Sequence, residues 1–305
     1  MSKKLQIDNM RIKKILKQGL KFIFGKRSIQ LTAQITQLGP SELLKGRAAL
    51  ITGGTSGIGY AIADAMLRAG AAAVVITGRT EERCKKAVNQ LLAVSADRQG
   101  RIFFQVLDNR RVDTFETSFL EIQNRLSVCG DKNLKISILC NNAGIQGSQF
   151  GFAKEEDYDN VMDTNLKGVF FFSQLVGRYM VDNNIEGNIL NIASASSLRP
   201  AASVYTLSKV GIKEFTLGMA KSLIPHGVVV NGLAPGPTAT PMLIKGEKPN
   251  LAIDHNPLGR FALPEEIANM AVILTSNMGR TIVGSIVYMT GGSGTITFED
   301  VQYPF

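Results

Sequence analysis

The hydrophobic residues divide the chain into two regions with different spacing. Within Met10–Phe24 they recur on one face of a predicted helix, and four lysines lie on the other face. From Arg47 onward, short runs of β-branched and other apolar residues alternate with longer stretches of helical periodicity. Buried strands that alternate with helices are typical of a parallel sheet covered by helices on both faces.

The second region contains seven candidate strands and six candidate helices. The strands are Ala48–Thr52, Ala73–Thr77, Ile102–Leu107, Ile136–Cys140, Gly187–Ala193, Val228–Leu233 and Ile282–Met289. The helices are Gly59–Arg68, Glu81–Leu92, Phe115–Leu126, Glu155–Tyr179, Val204–Leu223 and Pro264–Thr275. Because no residues remain for a separate substrate domain, ligands are expected at the carboxyl ends of the strands. We therefore predict a single domain over residues 44–305, with a doubly wound α/β fold and a parallel sheet of about seven strands.

Residues 1–43 are predicted to form a basic extension. The chain carries a formal net charge of +9, and residues 1–46 hold ten Lys or Arg and two acidic residues, a net charge of +8. The rest of the chain is nearly neutral, so we expect no nucleic acid partner. Lysines interrupt every apolar stretch of residues 10–24, which excludes a membrane-spanning helix there. Peripheral contact of this segment with an anionic membrane and packing on protein both remain open.

The few histidines and cysteines narrow the chemistry further. The chain has two histidines, and its three cysteines form no CxxC pair. A metal site built from these residue types is therefore not expected. An odd number of cysteines without such pairs indicates reduced thiols. We predict a cytoplasmic protein, and the basic extension adds the inner face of the membrane as an alternative location.

A glycine-rich loop follows the first candidate strand. Residues 52–59 read Thr-Gly-Gly-Thr-Ser-Gly-Ile-Gly and lead directly into a candidate helix. Glycine lets the backbone approach a phosphate closely, and the N-terminus of a helix attracts an anion. In the first βα unit of such a domain, this loop predicts a site for the pyrophosphate of a dinucleotide.

The end of the second candidate strand indicates which dinucleotide binds. A carboxylate at this position would bind the ribose hydroxyls of NAD and repel a 2′-phosphate. This chain has no acid there, and Arg79 follows the strand directly. Because a guanidinium forms charge-assisted, often bidentate contacts with phosphate, we predict NADP(H) in preference to NAD(H).

A tyrosine and a lysine supply the candidate acid–base chemistry. Tyr205 and Lys209 are four residues apart, on one face of a candidate helix. A nearby cation favours the phenolate, so we expect Lys209 to lower the pKa of Tyr205 and to suit it for proton transfer. Chance alone predicts about 0.4 such pairs in a chain of this composition, so the pair is informative only because of its position after the glycine loop.

Five segments in this order resemble the short-chain dehydrogenase/reductase family in its single-domain form, over roughly residues 44–294. They are the glycine loop at 52–59, the Asn-Asn-Ala-Gly at 141–144, Asn165 in the following helix, the Tyr205/Lys209 pair, and Pro235-Gly236 through Thr240. The resemblance implies a Rossmann fold and a dinucleotide cofactor. Members of this family usually assemble as homodimers or homotetramers through the helices that contain Asn165 and Tyr205.

The resemblance also implies a role for each matching residue. Tyr205 would be the general acid, Lys209 would hold the nicotinamide ribose, Ser194 would bind the substrate oxygen, and Asn165 would order a water. Ser194 precedes Tyr205 by 11 residues, a shorter interval than is usual in the family, so Ser196 remains an alternative. The implied cofactor contacts are Gly53, Thr55, Ser56, Gly57, Ile58, Gly59, Arg79, Asp108, Asn141, Ala143, Gly144, Tyr205, Lys209, Pro235, Gly236, Thr238 and Thr240.

The pattern favours an NADPH-dependent enzyme that interconverts a ketone and a secondary alcohol. Three segments are expected to wall the substrate pocket, Gln146–Phe152, Ala195–Ser203 and Thr238–Arg260, with Phe150, Phe152, Leu198, Met242, Leu243 and Leu251 as its apolar residues and Lys245 and Lys248 in a lid. The nearest family precedent is reduction of 3-oxoacyl thioesters. A sugar or polyol oxidoreductase of a membrane-associated glycan pathway and an NADPH-binding regulator or scaffold remain as alternatives.

Overall fold

The computed structural model describes residues 39–129, 133–242 and 250–297. The predicted basic helix at residues 10–24 lies outside the described residues, and its contacts stay a prediction. Pro40–Glu42 forms a short 3-10 helix, and Leu44 is fully buried ahead of the first strand.

Seven parallel strands form one sheet. They are β1 (Ala48–Ile51), β2 (Ala73–Gly78), β3 (Ile102–Val106), β4 (Ile136–Asn141), β5 (Asn188–Ile192), β6 (Val229–Pro235) and β7 (Ile286–Met289). Their order across the sheet is β3-β2-β1-β4-β5-β6-β7, and every neighbouring pair is parallel. The predicted doubly wound α/β fold is confirmed. The last strand begins at Ile286 rather than at the predicted Ile282, because Gly284 has a φ of +68° and turns the backbone just before it.

The helices lie close to their predicted positions. They are α1 (Gly57–Arg68), α2 (Glu81–Leu92), α3 (Phe115–Cys129), α4 (Glu155–Met162), α5 (Gly168–Asp182), α6 (Val204–Leu223) and α7 (Pro264–Thr275). The single helix predicted over Glu155–Tyr179 is instead α4 and α5, joined by a π-helical segment at Asp163–Lys167. Among the described residues, no helix has the length and the apolar character that crossing a bilayer requires.

Alternate side chains of β1 show how the two faces of the sheet are covered. Ala49 and Ile51 pack in the cluster formed by α1, α2 and α7. Ala48 and Leu50 point to the opposite face and pack with α3, α5 and α6. All four side chains are fully buried. With both faces covered, the polar loops at the strand ends are left to form a binding site.

The order of the strands places that site. β1 and β4 are neighbours, and the chain continues from β1 toward β2 on one side and from β4 toward β5 on the other. In open α/β sheets a crevice forms at the carboxyl ends of the strands where the order reverses. The loops after β1 and β4 therefore face each other across a cleft.

Candidate active site

A cleft of about 1070 Å³ runs across the carboxyl ends of the strands, and loops after all seven strands contribute to its walls. The loops after β2 and β3 and the first turn of α2 form a group that we call the arginine end: Arg79, Arg83, Leu107, Asp108 and Asn109. The loops after β5 and the start of α6 supply Ser194, Arg199, Tyr205 and Lys209, which we call the tyrosine end. These two groups lie on opposite sides of β1 and β4 in the sheet.

The glycine-rich loop lies between the two ends. Gly53, Thr55, Ser56, Gly57 and Ile58 all line the cleft. Gly53 and Gly57 have φ values of +64° and +55°, which residues with side chains rarely adopt. A Cβ at Gly53 would lie 2.8 Å from the Cα of Ala143, so two walls of the cleft meet here through backbone. No side chain caps α1 at Ser56, which leaves the N–H groups of its first turn available to an anion.

Two residues predicted to contact the cofactor do not line the cleft. A Cβ at Gly59 would collide with Asn142 Nδ2 and would lie 2.5 Å from Gly53 O, so this glycine allows close packing behind the loop. Asn141 Nδ2 donates to Ser173 Oγ and to Asn191 Oδ1, both at 2.8 Å, and the residue is buried in the sheet. The residues that follow it, Asn142, Ala143 and Gly144, line the cleft instead.

The arginine end combines exposed cations with one carboxylate. Arg79 and Arg83 are exposed on the wall after β2. Asp108 accepts hydrogen bonds from the backbone and the guanidinium of Arg110, at 2.7 to 3.1 Å. These bonds hold the pKa of Asp108 below its ordinary value, and the charge of Arg79 adds to the effect. Arg83 was missed in the sequence; it lies on the first turn of α2, which begins at Glu81, two residues after Arg79.

Tyr205 and Lys209 lie on the first turns of α6. The helix begins at Val204, and Ser203 caps it by accepting a hydrogen bond from the Thr206 N–H at 3.1 Å. Lys209 is 5% exposed, and its Nζ donates to Ile192 O at 2.7 Å. The same Nζ lies 5.7 Å from the centre of the Tyr205 ring. The cap and the buried lysine thus fix the tyrosine at the wall of the cleft.

Ser194 is the serine that contacts Tyr205. It is 8% exposed, lies two residues after the end of β5, and its side chain acts on the phenol of Tyr205 by opposing the rise in its pKa. Its Oγ also accepts the Ser196 N–H at 3.1 Å. Ser196 Oγ instead accepts a hydrogen bond from Arg199 Nη2 at 3.3 Å. Of the two serines left open by the sequence, the geometry favours Ser194 beside the phenol.

Burial shifts both titrating groups at the tyrosine end. The pKa of Tyr205 is raised by burial, while the Ser194 hydrogen bond and the charge of Arg199 oppose the rise. The sequence predicted that Lys209 would lower this pKa, but the shift has the opposite direction. Burial disfavours the charged phenolate more than the nearby polar and charged groups favour it. Burial lowers the pKa of Lys209 to about 8.

Asn165 lies behind the cleft, in the π-helical segment between α4 and α5. It is fully buried, and its Oδ1 accepts the Ile145 N–H at 2.8 Å. Its Nδ2 donates to Ile145 O at 2.9 Å and to Ser208 Oγ at 3.1 Å. The side chain therefore ties the loop after β4 to α6. Single π turns often occur at functional sites, and here the turn aims Asn165 at that loop.

The segment after β6 closes one wall of the cleft. Pro235, Gly236, Thr238 and Thr240 all line it, as predicted for cofactor contacts. Thr238 Oγ1 donates to Gly236 O at 2.9 Å, which holds the turn. A Cβ at Gly57 would lie 3.3 Å from Thr240 Cγ2, so this segment reaches the glycine loop. Residues 243–249, which include the predicted wall residue Leu243 and the predicted lid lysines 245 and 248, lie outside the described residues.

The remaining pocket residues differ from the apolar set that the sequence predicts. Leu198 and Met242 line the cleft, whereas Leu251, Phe150 and Phe152 do not, and the two phenylalanines are 90% and 81% exposed. Residues that the sequence analysis passed over line it instead: Gln146, Gln149, Arg199, Ile253, His255, Phe261, Ser293, Gly294 and Thr297. Five of these nine lie within the predicted wall segments, namely Gln146, Gln149, Arg199, Ile253 and His255.

Comparison with known proteins agrees with this geometry. A family model described as short chain dehydrogenase matches residues 47–250. The chain is 32% identical over 254 residues to the 3-oxoacyl-acyl-carrier-protein reductase of Aquifex aeolicus, covering 82% of this chain and 98% of the relative. It is 34% identical over 256 residues to the gluconate 5-dehydrogenase of Gluconobacter oxydans, covering 82% and 95%.

Solved structures show the same architecture. The gluconate 5-dehydrogenase of Burkholderia cenocepacia, in complex with NADP and tartrate, matches with a TM-score of 0.70 and 29% identity, over 83% of this chain and 97% of that one. The resemblance seen in the sequence is thus confirmed. The chain belongs to the short-chain dehydrogenase/reductase family and is an oxidoreductase that acts on CH–OH and keto groups.

Proposed function

We propose that the protein interconverts a ketone and a secondary alcohol with NADP(H) as its cofactor. One observation carries the proposal: Tyr205 and Ser194 line the cleft together, and the ammonium group of the buried Lys209 lies 5.7 Å from the centre of the Tyr205 ring. A phenol, a hydroxyl and a cation around one point in a cleft can bind a carbonyl oxygen and transfer a proton to it.

The residues of the cleft fit a dinucleotide. The backbone at Gly53 and Gly57 and the uncapped start of α1 suit a pyrophosphate. Asn109 lines the arginine end, and its buried Nδ2 has no hydrogen-bond partner among the described residues. A buried donor without a partner is costly, and an acceptor on a bound adenosine would satisfy it.

The protein's contribution to the reaction is a positioned proton and a fixed carbonyl. When bound, NADPH supplies a hydride to the carbonyl carbon while the protein supplies a proton to the oxygen, so that the ketone becomes a secondary alcohol. Burial keeps Tyr205 protonated at neutral pH, which suits it to donate that proton. Ser194 would hold the substrate oxygen, and Lys209 would hold the nicotinamide ribose. A water ordered by Asn165 remains a prediction.

The preference for the phosphorylated cofactor rests on charge. Arg79 and Arg83 are exposed at the arginine end, and neither has a carboxylate partner within the part of the chain that the structure describes. Two unpaired guanidinium groups suit the additional phosphate of NADP(H).

The substrate class is open between two precedents. The Aquifex aeolicus relative is named for 3-oxoacyl thioesters, and the Gluconobacter oxydans relative for a sugar acid. An NADPH-binding scaffold has no physical need for Tyr205, Ser194 and Lys209 together, which favours the enzyme. Assembly as a homodimer or homotetramer, a cytoplasmic location, a separate extension over residues 1–43 and its membrane contact stay predictions.

The cofactor assignment is tested by titrating NADPH and NADH into the purified chain and into Arg79→Ala. We expect NADPH to bind more tightly and Arg79→Ala to lose roughly tenfold of that preference, the effect of one charge-assisted contact. Arg68→Ala, which removes an exposed arginine of α1 outside the cleft lining, is the control. Equal or tighter binding of NADH by the unaltered chain would overturn the assignment.

A further inference from the structure

Arg199 lies on the same short turn as Ser194. A 3-10 helix at Ala195–Leu198 follows Ser194, and Arg199 ends it. Arg199 Nη2 donates to Ser196 Oγ at 3.3 Å, and the Ser196 N–H donates to Ser194 Oγ at 3.1 Å. The guanidinium is therefore linked through Ser196 to Ser194, the residue that would hold the substrate oxygen. Arg199 and Ser194 both line the cleft.

The charge of Arg199 is not neutralised. Its guanidinium has no carboxylate partner among residues 39–129, 133–242 and 250–297. Among the described residues that line the cleft, Asp108 is the only carboxylate, and it lies at the arginine end in an ion pair with Arg110. The tyrosine end contains Arg199 and the buried Lys209, and His255 adds a further polar side chain to the lining. It therefore carries unbalanced positive charge.

This charge acts on the reacting group. Arg199 opposes the rise in the pKa of Tyr205 that burial causes, so the guanidinium and the phenol interact through space. A substrate whose carbonyl oxygen is held by Tyr205 and Ser194 would thus have its nearby atoms within the field of Arg199.

An arginine in this position fits one chemical class well. Its planar fork forms bidentate, charge-assisted bonds with a carboxylate. We infer that Arg199 binds a carboxylate carried by the substrate, so that the substrates are small oxo acids and the corresponding hydroxy acids. This inference rests on the proposed reductase function and names its substrate class.

The test compares acids with neutral partners that have the same reacting carbon. The acids are 3-oxobutanoate, 4-oxopentanoate, 5-oxohexanoate and 5-dehydrogluconate. The neutral partners are the methyl esters of the first three acids and L-sorbose, which has a CH2OH group where 5-dehydrogluconate has its carboxylate. The N-acetylcysteamine thioester of 3-oxobutanoate represents thioester substrates. The ratio of kcat/KM for acid and neutral partner is measured with NADPH. A ratio is used because the charge of Arg199 also affects the pKa of Tyr205. That effect changes kcat/KM equally for the acid and for its neutral partner, so it cancels in the ratio.

The unaltered chain is expected to prefer at least one acid by about tenfold or more. Arg199→Gln should remove this preference, a loss of roughly 10- to 100-fold for a charge-assisted pair, and Arg199→Lys should retain part of it. Arg68→Gln, which neutralises an exposed arginine outside the cleft lining, should retain all of it.

Two kinds of failure are distinguishable. If the unaltered chain prefers the neutral ketones or the thioester, or if Arg199→Gln lowers acid and neutral turnover equally, the inference is wrong while the reductase stands. If no ketone is reduced, the proposed function fails, and calorimetric titration of the four acids into the NADP-bound protein decides the inference. Binding that Arg199→Gln abolishes would support it, and no binding by the unaltered chain would overturn it.

Discussion

The two ends of the cleft differ in that only one of them contains a buried cation. Arg79 and Arg83 at the arginine end are exposed, as is Arg199 at the tyrosine end, whereas Lys209 at the tyrosine end is 5% exposed. An exposed guanidinium keeps its charge at every ordinary pH, but dissolved salt screens it. A buried ammonium is little screened, but removal from water disfavours its charge and lowers the pKa of Lys209 to about 8.

This difference separates recognition from chemistry. At the arginine end, permanent charges can select a phosphorylated cofactor without any change of protonation. At the tyrosine end, burial places Lys209 close to its own titration point and raises the pKa of Tyr205. Lys209 thus changes protonation close to neutral pH, whereas the raised pKa of Tyr205 lies further from neutral pH and keeps the phenol protonated as a proton donor. The arginine end should therefore respond to salt, and the tyrosine end to pH.

The largest expected effect comes from the phenol at the tyrosine end. Tyr205→Phe removes the proton donor and leaves the ring in place, so kcat for ketone reduction should fall by about 10²- to 10⁴-fold. NADPH affinity should change little, because the arginine end is untouched. Steady-state kinetics and NADPH titration on the same sample measure both.

The control for this variant is Tyr158→Phe. Tyr158 is a half-exposed tyrosine on α4 that does not line the cleft, and its loss should leave kcat unchanged. If Tyr205→Phe retained most of its activity, another group would donate the proton and the tyrosine end would lose its assigned role. An unchanged biological output would favour the scaffold alternative.

Much of this architecture could be predicted from the sequence because its signals are local. The alternation of apolar runs predicted the parallel sheet, and the glycine loop and the Tyr205/Lys209 pair each lie within eight consecutive residues. Such patterns are set by backbone geometry and helical spacing, which neighbouring residues determine. The structure brings Ser194, Tyr205 and Lys209 together as the resemblance implies.

The features that were missed depend on contacts between distant segments. Asn141 points into the sheet because Ser173 and Asn191, from α5 and β5, accept its hydrogen bonds. Phe150 is exposed and does not line the cleft. Its backbone N–H donates to Ala202 O, in a segment about fifty residues further along the chain. The pKa of Tyr205 is raised because burial, which a sequence does not display, outweighs nearby charge.

The second prediction concerns the buried lysine and the stability of the fold. Lys209 has an ordinary pKa of 10.5 and a folded pKa of about 8, so between these values the unfolded chain binds more protons than the folded chain. Folding therefore becomes more favourable as pH rises through this window. Relative to Lys209→Met, the unaltered chain should gain about 1–3 kcal/mol from pH 8 to pH 10.5. Urea unfolding at several pH values measures the difference.

The matched control for the lysine is Arg79→Met at the other end. Because Arg79 is exposed and keeps its charge, the stability difference between this variant and the unaltered chain should not change over the same pH range. Because Lys209→Met also removes the hydrogen bond to Ile192 O, the prediction concerns how its stability difference changes with pH and not the difference at one pH. If the stability difference between the unaltered chain and Lys209→Met did not change with pH, burial would not disfavour the charge of Lys209. The two ends of the cleft would then no longer differ.

The smallest effect is expected at Arg83, which tests whether the arginine end acts through exposed charge. Arg83→Ala should weaken NADPH binding by roughly tenfold and leave NADH binding unchanged, because only NADPH carries the additional phosphate. Alanine preserves the helical propensity of α2, and Lys86→Ala, an exposed position of that helix outside the cleft lining, is the control.

The NADPH preference of the unaltered chain should also decline as salt rises, since exposed charges are screened. If Arg83→Ala weakened the binding of NADPH and NADH equally, Arg83 would contact a part of the cofactor that both contain. If the NADPH preference did not change with salt, the additional phosphate would be bound out of solvent, as Lys209 is.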